Sequence, residues 1–152
     1  MKALIVFTCL MLSTSFAHAI TMTVDADKFE LFQTEKRAEF FGHVVVQREE
    51  MVLKADFMTV WYQEVNGKNE LKRVKAKGNV FIDTPENKGT SKLATYSADT
   101  EMLIMSGEAR MVGDQGVLEG EQIEYNTKTE DTRVLKGAED KQVHFIFEDA
   151  EK

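Results

Sequence analysis

Carboxylates are the first side chains in this sequence that could do chemistry. Asp25 with Asp27, and Glu119 with Glu121, stand as carboxylate-x-carboxylate pairs that could begin a divalent-cation site. Calcium takes about six to eight oxygen ligands, and no neighbouring residues complete a loop around either pair, so both read as exposed bend residues. Asp25, Asp56 and Glu119 could imitate the two acids of a glycosidase. They fall, however, at recurring positions of repeated segments, and serving the repeat explains them. Histidine occurs at 18, 43 and 144, with neither a His-Glu-x-x-His nor a Gly-x-Ser-x-Gly pattern. The sequence supports no enzyme, cofactor or metal centre. The densest basic cluster runs Lys72, Arg73, Lys75, Lys77. Arg73, Lys75 and Lys77 share one face of a strand, where they could meet phosphates or a partner's acidic rim, or simply be solvated opposite Val74 and Ala76.

The chain that must position these groups has 152 residues, 43% hydrophobic and 30% charged, with one Cys and one Pro. A single domain of this size buries roughly two-thirds of its unfolded surface and needs no staples. Nineteen basic against 26 acidic side chains give −7, which argues against an electrostatic grip on nucleic acid.

The first 19 residues, MKALIVFTCLMLSTSFAHA, carry an early lysine and an apolar stretch over Ala3–Leu12. Ala17-His18-Ala19 then has the small-x-small form of a signal-peptidase site. The stretch falls short of the ~20 residues that span a bilayer, so it reads as a cleavable export signal cut after Ala19. Cleavage discards Cys9, the only cysteine, and with it disulfides, thiolate metal sites and a cysteine nucleophile. The expected product, Ile20–Lys152, is acidic, cysteine-free and without a second apolar span, which suits the periplasm of a Gram-negative bacterium.

That product is repetitive. Val24-Asp-Ala-Asp-Lys-Phe-Glu-Leu31, Leu53-Lys-Ala-Asp-Phe-Met-Thr-Val60 and Leu118-Glu-Gly-Glu-Gln-Ile-Glu-Tyr125 share the order apolar, any, small, acidic, any, apolar, any, apolar. Gly89–Tyr96 is a weaker copy, and the four starts are spaced by 29, 36 and 29 residues. A glycine-centred element follows each copy, at Gly42, Gly78, Gly107 and Gly137. The longer spacing contains Val65-Asn-Gly-Lys-Asn69, a hairpin turn signal. Apolar residues alternate at period two within each element, the signature of half-buried strands. In the first element the parity flips across the small-acidic pair, from Val24/Ala26 to Phe29/Leu31, as a bulge or bend requires if both halves are to face one core. The fold expected is all-β, about eight to sixteen strands depending on how many bends divide them.

The units Val-x-Ala-Asp-x-Phe, Ala-Lys-Gly-Asn-Val, Leu-Ala-Thr-Tyr and Val-Leu-Glu-Gly-Glu-x-Ile-x-Tyr-Asn resemble the OstA-like family, in order, from about Ile20 to Gly137. The resemblance implies a twisted, partly open β-jellyroll that stacks end to end and carries lipopolysaccharide from the inner to the outer membrane. It implies as partners lipopolysaccharide, the inner- and outer-membrane components of the transport bridge, and further copies arranged head to tail. It carries over no catalytic residue. Domain limits follow: signal 1–19, transport domain 20–140, and a tail 141–152. In that tail Val143, Phe145 and Phe147 alternate as an additional edge strand. The copy at Gly89–Tyr96 has Thr90-Ser91 where relatives more often carry glycine, so its bend is expected to be tighter or displaced.

Carrying lipid through water means shielding acyl chains. At ~0.8 kcal/mol per methylene, a 14-carbon chain represents about 10 kcal/mol of gross transfer energy, more than a set of polar contacts supplies. The expected lining is Val24, Phe29, Leu31, Phe40, Val44, Val46, Leu53, Met58, Val60, Val80, Ile82, Tyr96, Met105, Met111, Leu118, Ile123 and Tyr125. A dry scaffold with its function on the strand edges, and the periplasmic domain of another transport component, are the alternatives. The expected edges are Thr21–Ala26 and Val143–Phe147.

Overall fold

The computed structural model describes residues 22–137 and 142–147; the expected signal and its cleavage point, and the last residues of the tail, lie outside them. The described chain forms ten strands and no helix: β1 (Met22–Asp25), β2 (Lys28–Phe32), β3 (Arg37–Arg48), β4 (Met51–Val65), β5 (Lys68–Asp83), β6 (Asn87–Ser97), β7 (Met102–Gly113), β8 (Gly116–Asn126), β9 (Thr132–Leu135) and β10 (His144–Ile146). All belong to one antiparallel sheet in the order β1-β3-β4-β5-β6-β7-β8-β10. Both ends are split: β2 lies beside β1 along the same partner, β3, and β9 lies beside β10 along β8. Among the described residues no ladder joins the two ends of the sheet, which is open.

Each of the six central strands is divided by a bend, and the bends form one column across the sheet. In β3, β5 and β7 two consecutive residues enter the left-handed region: Gly42-His43, Gly78-Asn79 and Gly107-Glu108. The neighbouring strands pass the same column at Asp56, Lys92 and Glu121, and every register breaks there. Two residues against one is the bulge expected from the parity flip. The result is two half-sheets that face each other across an apolar interior, the partly open jellyroll expected from the repeats. The weaker third copy bends at the same column as the others, opposite Gly107, and is not displaced.

Gly78 is required at its bend for two reasons. Its φ is +80°, a conformation L side chains rarely adopt, and a Cβ there would stand 2.5 Å from Asp56 Oδ2. Polar side chains then tie the column strand to strand. His43 Nδ1 lies 2.7 Å from Asp27 Oδ2, Asn79 Nδ2 donates to Asp56 Oδ2 at 2.8 Å, and Lys92 Nζ donates to Glu108 Oε1 at 3.1 Å. The third copy thus keeps the tie with its charges exchanged, which explains why its acidic position holds lysine.

The Asn66-Gly67 turn between β4 and β5 has φ of +51° and +76°, the type I′ geometry the sequence signals. A Cβ on Gly67 would meet nothing within 4 Å. Gly67→Ala therefore carries only backbone strain, about 1–2 kcal/mol, whereas Gly78→Ala adds a collision with Asp56. Denaturant unfolding is expected to show a larger loss of midpoint for Gly78→Ala; equal losses would mean the bend column is not closely packed.

Candidate functional site

The interior between the half-sheets is built by period two. Val44, Val46, Leu53, Val80, Ile82 and Met111 project from the first half-sheet, and Met58, Val60, Met105 and Ile123 from the second, and all are buried. Ala38, Ala55, Ala76, Ala94 and Ala109 are buried with them, and these small side chains let the half-sheets approach closely. Val24, Phe40, Leu118 and Tyr125 pack against this core while partly exposed, and Tyr96 lines a cavity within it. Among the described residues no buried side-chain nitrogen or oxygen lacks a partner. Ser91, the one buried polar residue of the core face, donates to the Leu93 carbonyl at 2.9 Å.

Phe29 and Leu31 face the same side, opposite Phe40 and Ala38, but they belong to the edge strand β2 and remain 55% and 47% exposed. Phe29 rests against Phe40 with ring centroids 5.1 Å apart. At the far edge Phe145 is aligned with Leu118 and is 52% exposed. The apolar face therefore runs through the interior and emerges at both edges of the sheet.

Among the described residues, cavities lie toward both edges of this interior. One, of about 100 Å³, lies toward the N-terminal edge among Val46, Leu53, Met58, Val60, Leu71 and Tyr96. The other, of about 290 Å³, lies toward the C-terminal edge, with Met111, Leu118, Tyr125 and Phe145 as its apolar wall and Glu86, Asp114 and Glu130 at its rim. Burial raises the Tyr125 pKa above its ordinary value, and the charges of Glu130 and Glu86 raise it further. Those two acids come from hairpins of opposite half-sheets, so the lips converge on this tyrosine.

Interior residues absent from the expected lining include Leu71, Val74, Gly89, Leu103, Val134 and the buried alanines Ala38, Ala55, Ala76, Ala94 and Ala109. Leu71 is displaced from simple alternation by a register shift at Trp61/Tyr62. The alternation did contain Val74 and Ala76, whereas small residues give no hydrophobic signal for a wall of this kind.

The polar candidates lie elsewhere. Arg73, Lys75 and Lys77 project from the outer face of β5, opposite Val74 and the fully buried Ala76, with the Arg73 guanidinium 5.5 Å from the Trp61 ring. Asp25 and Asp27 fall on either side of a bend, Asp27 held by His43. Glu119 accepts a hydrogen bond from Arg110 at 2.8 Å. Among the described residues no three His, Cys, Asp or Glu side chains stand together as metal ligands.

A family model described as LptA/(LptD N-terminal domain) LPS transport protein matches residues 23–131. That is well over half of the chain, and the chain belongs to this family, as the repeat units imply. A solved structure has the same fold: LptH, titled the LptA homologous periplasmic component of the conserved lipopolysaccharide transport device from Pseudomonas aeruginosa. It is 19% identical, aligns with a TM-score of 0.73, and covers 86% of this chain and 96% of its own. No curated protein sequence matches the chain.

The column of bends gives a measurable titration. Its hydrogen bond to Asp27, then the Asp27 charge, and less strongly the Asp56 charge, raise the His43 pKa above the ordinary histidine value. The charged pair therefore contributes fully below the unfolded-state pKa and is lost as pH rises through the raised folded value. Both partners are largely solvent-exposed, so the effect on global stability is small. NMR titration is expected to show His43 titrating above about 6.5, with Asp27→Asn lowering it; a His43 pKa unmoved by that change would refute the tie.

Proposed function

We propose that this chain carries lipopolysaccharide across the periplasm, shielding its acyl chains between the two half-sheets. Residues 20–140 form the transport domain, exported by a signal cleaved after Ala19, and residues 141–152 complete its C-terminal edge. Membership of the LPS transport family supports this reading. The observation that carries it is the continuity of the apolar face, from the exposed Phe29 through buried Met58 and Met105 to the exposed Phe145. A dry scaffold gains nothing from leaving such side chains uncovered at two opposite edges.

The same edges suit an end-to-end assembly. Among the described residues, β1 and β2 leave one row of backbone donors and acceptors without a strand partner, and β9 and β10 leave another. Such edges can template a further chain, and a head-to-tail stack would align one apolar interior with the next. The bridge then runs from an inner-membrane component to an outer-membrane one through copies of this fold. Arg73, Lys75 and Lys77, on the outer face, are available to an acidic partner or to phosphates outside the groove.

Photo-crosslinking tests the carrier role. A crosslinking residue at Val44 or Met58 is expected to capture lipopolysaccharide, while one at the exposed Lys128 is not. Capture confined to Lys128, with none at the two interior positions, would overturn the reading.

A further inference from the structure

The two cavities share no lining residue. They lie toward opposite edges of the sheet, and the packed interior between them has a location. Met105, on the second half-sheet, is fully buried. It reaches across to Gly89 on the first, where a Cβ would stand 2.7 Å from the methionine Cε and 3.1 Å from its Sδ. Ala94, the strand neighbour of Met105, lines the N-terminal cavity. Met111, the strand neighbour of Gly89, lines the C-terminal one. The Met105–Gly89 contact thus sits on the boundary between them.

We propose that Met105 is a movable partition, seated in the gap left by the missing side chain of Gly89, which an acyl chain must displace to extend from one cavity into the other. The residue types suit the task. Methionine is unbranched, with three rotatable bonds and a polarizable thioether, so it can leave a site and pack against a hydrocarbon chain at little cost. Isoleucine, as at the neighbouring Ile123, is stiff at χ1 and cannot turn aside in this way. Gly89 has an ordinary backbone conformation, with no left-handed φ to require glycine. Its lack of a side chain is therefore explained by the space that the methionine tip fills.

The inference rests on the carrier reading, and the experiment separates the two. Crosslinking residues are placed singly at Leu71, in the N-terminal cavity, and at Leu118, in the C-terminal one, and purified lipopolysaccharide is supplied to the full exported chain. In the parent protein both positions capture it. Met105→Phe fills the gap with a rigid ring, and Gly89→Ala narrows it from the opposite half-sheet. Each is expected to abolish capture at one reporter while sparing the other, whereas Met105→Leu, similar in volume, retains capture at both. Cooperative thermal unfolding identifies which variants are folded, and having one from each half-sheet keeps the test available if either fails to fold. Capture at both reporters in a folded Met105→Phe or Gly89→Ala protein overturns the partition. Capture at neither reporter in the parent overturns the carrier reading instead.

Discussion

Six neighbouring strands must all bend in one column without losing their pairing, and the rest of the molecule depends on that constraint. A flat antiparallel sheet of this size would expose an apolar face to water. Closing it into a barrel would hide that face but leave no free strand edge. Bending every strand at the same place lets the sheet cover itself and still keep two free edges. Two-against-one bulges supply the bend, and the paired left-handed residues at Gly42-His43, Gly78-Asn79 and Gly107-Glu108 supply the bulges. The ties between Asp27 and His43, Asp56 and Asn79, and Lys92 and Glu108 are exposed and individually weak. They hold the strands in register at the point where ladder hydrogen bonds are interrupted.

The column also decides how the interior can work. The N-terminal cavity, of about 100 Å³, is smaller than the ~150 Å³ engineered cavity that admits benzene, so an acyl chain enters it only if the half-sheets part there. Among the described residues nothing bonds the two ends of the sheet to each other, and the ties lie at the bend rather than at the lips, so opening about the column breaks no ladder. The buried alanines and the three buried methionines, Met58, Met105 and Met111, give walls that are close when empty and adaptable when occupied. The acidic rim of the C-terminal cavity, formed by Glu86, Asp114 and Glu130, favours neutral or cationic groups at that mouth and disfavours phosphate.

Much of this was legible in the sequence because strand periodicity and bend chemistry are local. The small-acidic pairs and the glycines located the bend column, the parity flip announced the bulges, and Asn66-Gly67 announced its hairpin. Interior faces followed from parity for residues such as Val44, Met58 and Ile123. Features that depend on what lies across the interior were not legible. Phe29 and Leu31 face inward yet stand half in water, because the sheet ends at β2 and nothing in their own segment records that. Gly89 reads as a weak repeat copy until Met105 is seen opposite it, and Leu71 is hidden by a bulge. The split of each edge into two short strands, with β2 and β9 beside β1 and β10, likewise arises from the bend acting on the terminal strands.

The claim that acyl chains enter by parting the half-sheets can be tested by distance. Spin labels at Glu50, on the β3–β4 hairpin, and Lys128, after β8, stand at lips that both border the N-terminal cavity through Arg48, Met51 and Thr127. Pulsed electron–electron resonance should show the Glu50–Lys128 distance distribution moving to longer values as lipopolysaccharide is added, in proportion to the bound fraction. An unchanged distribution with lipopolysaccharide demonstrably bound would contradict the account.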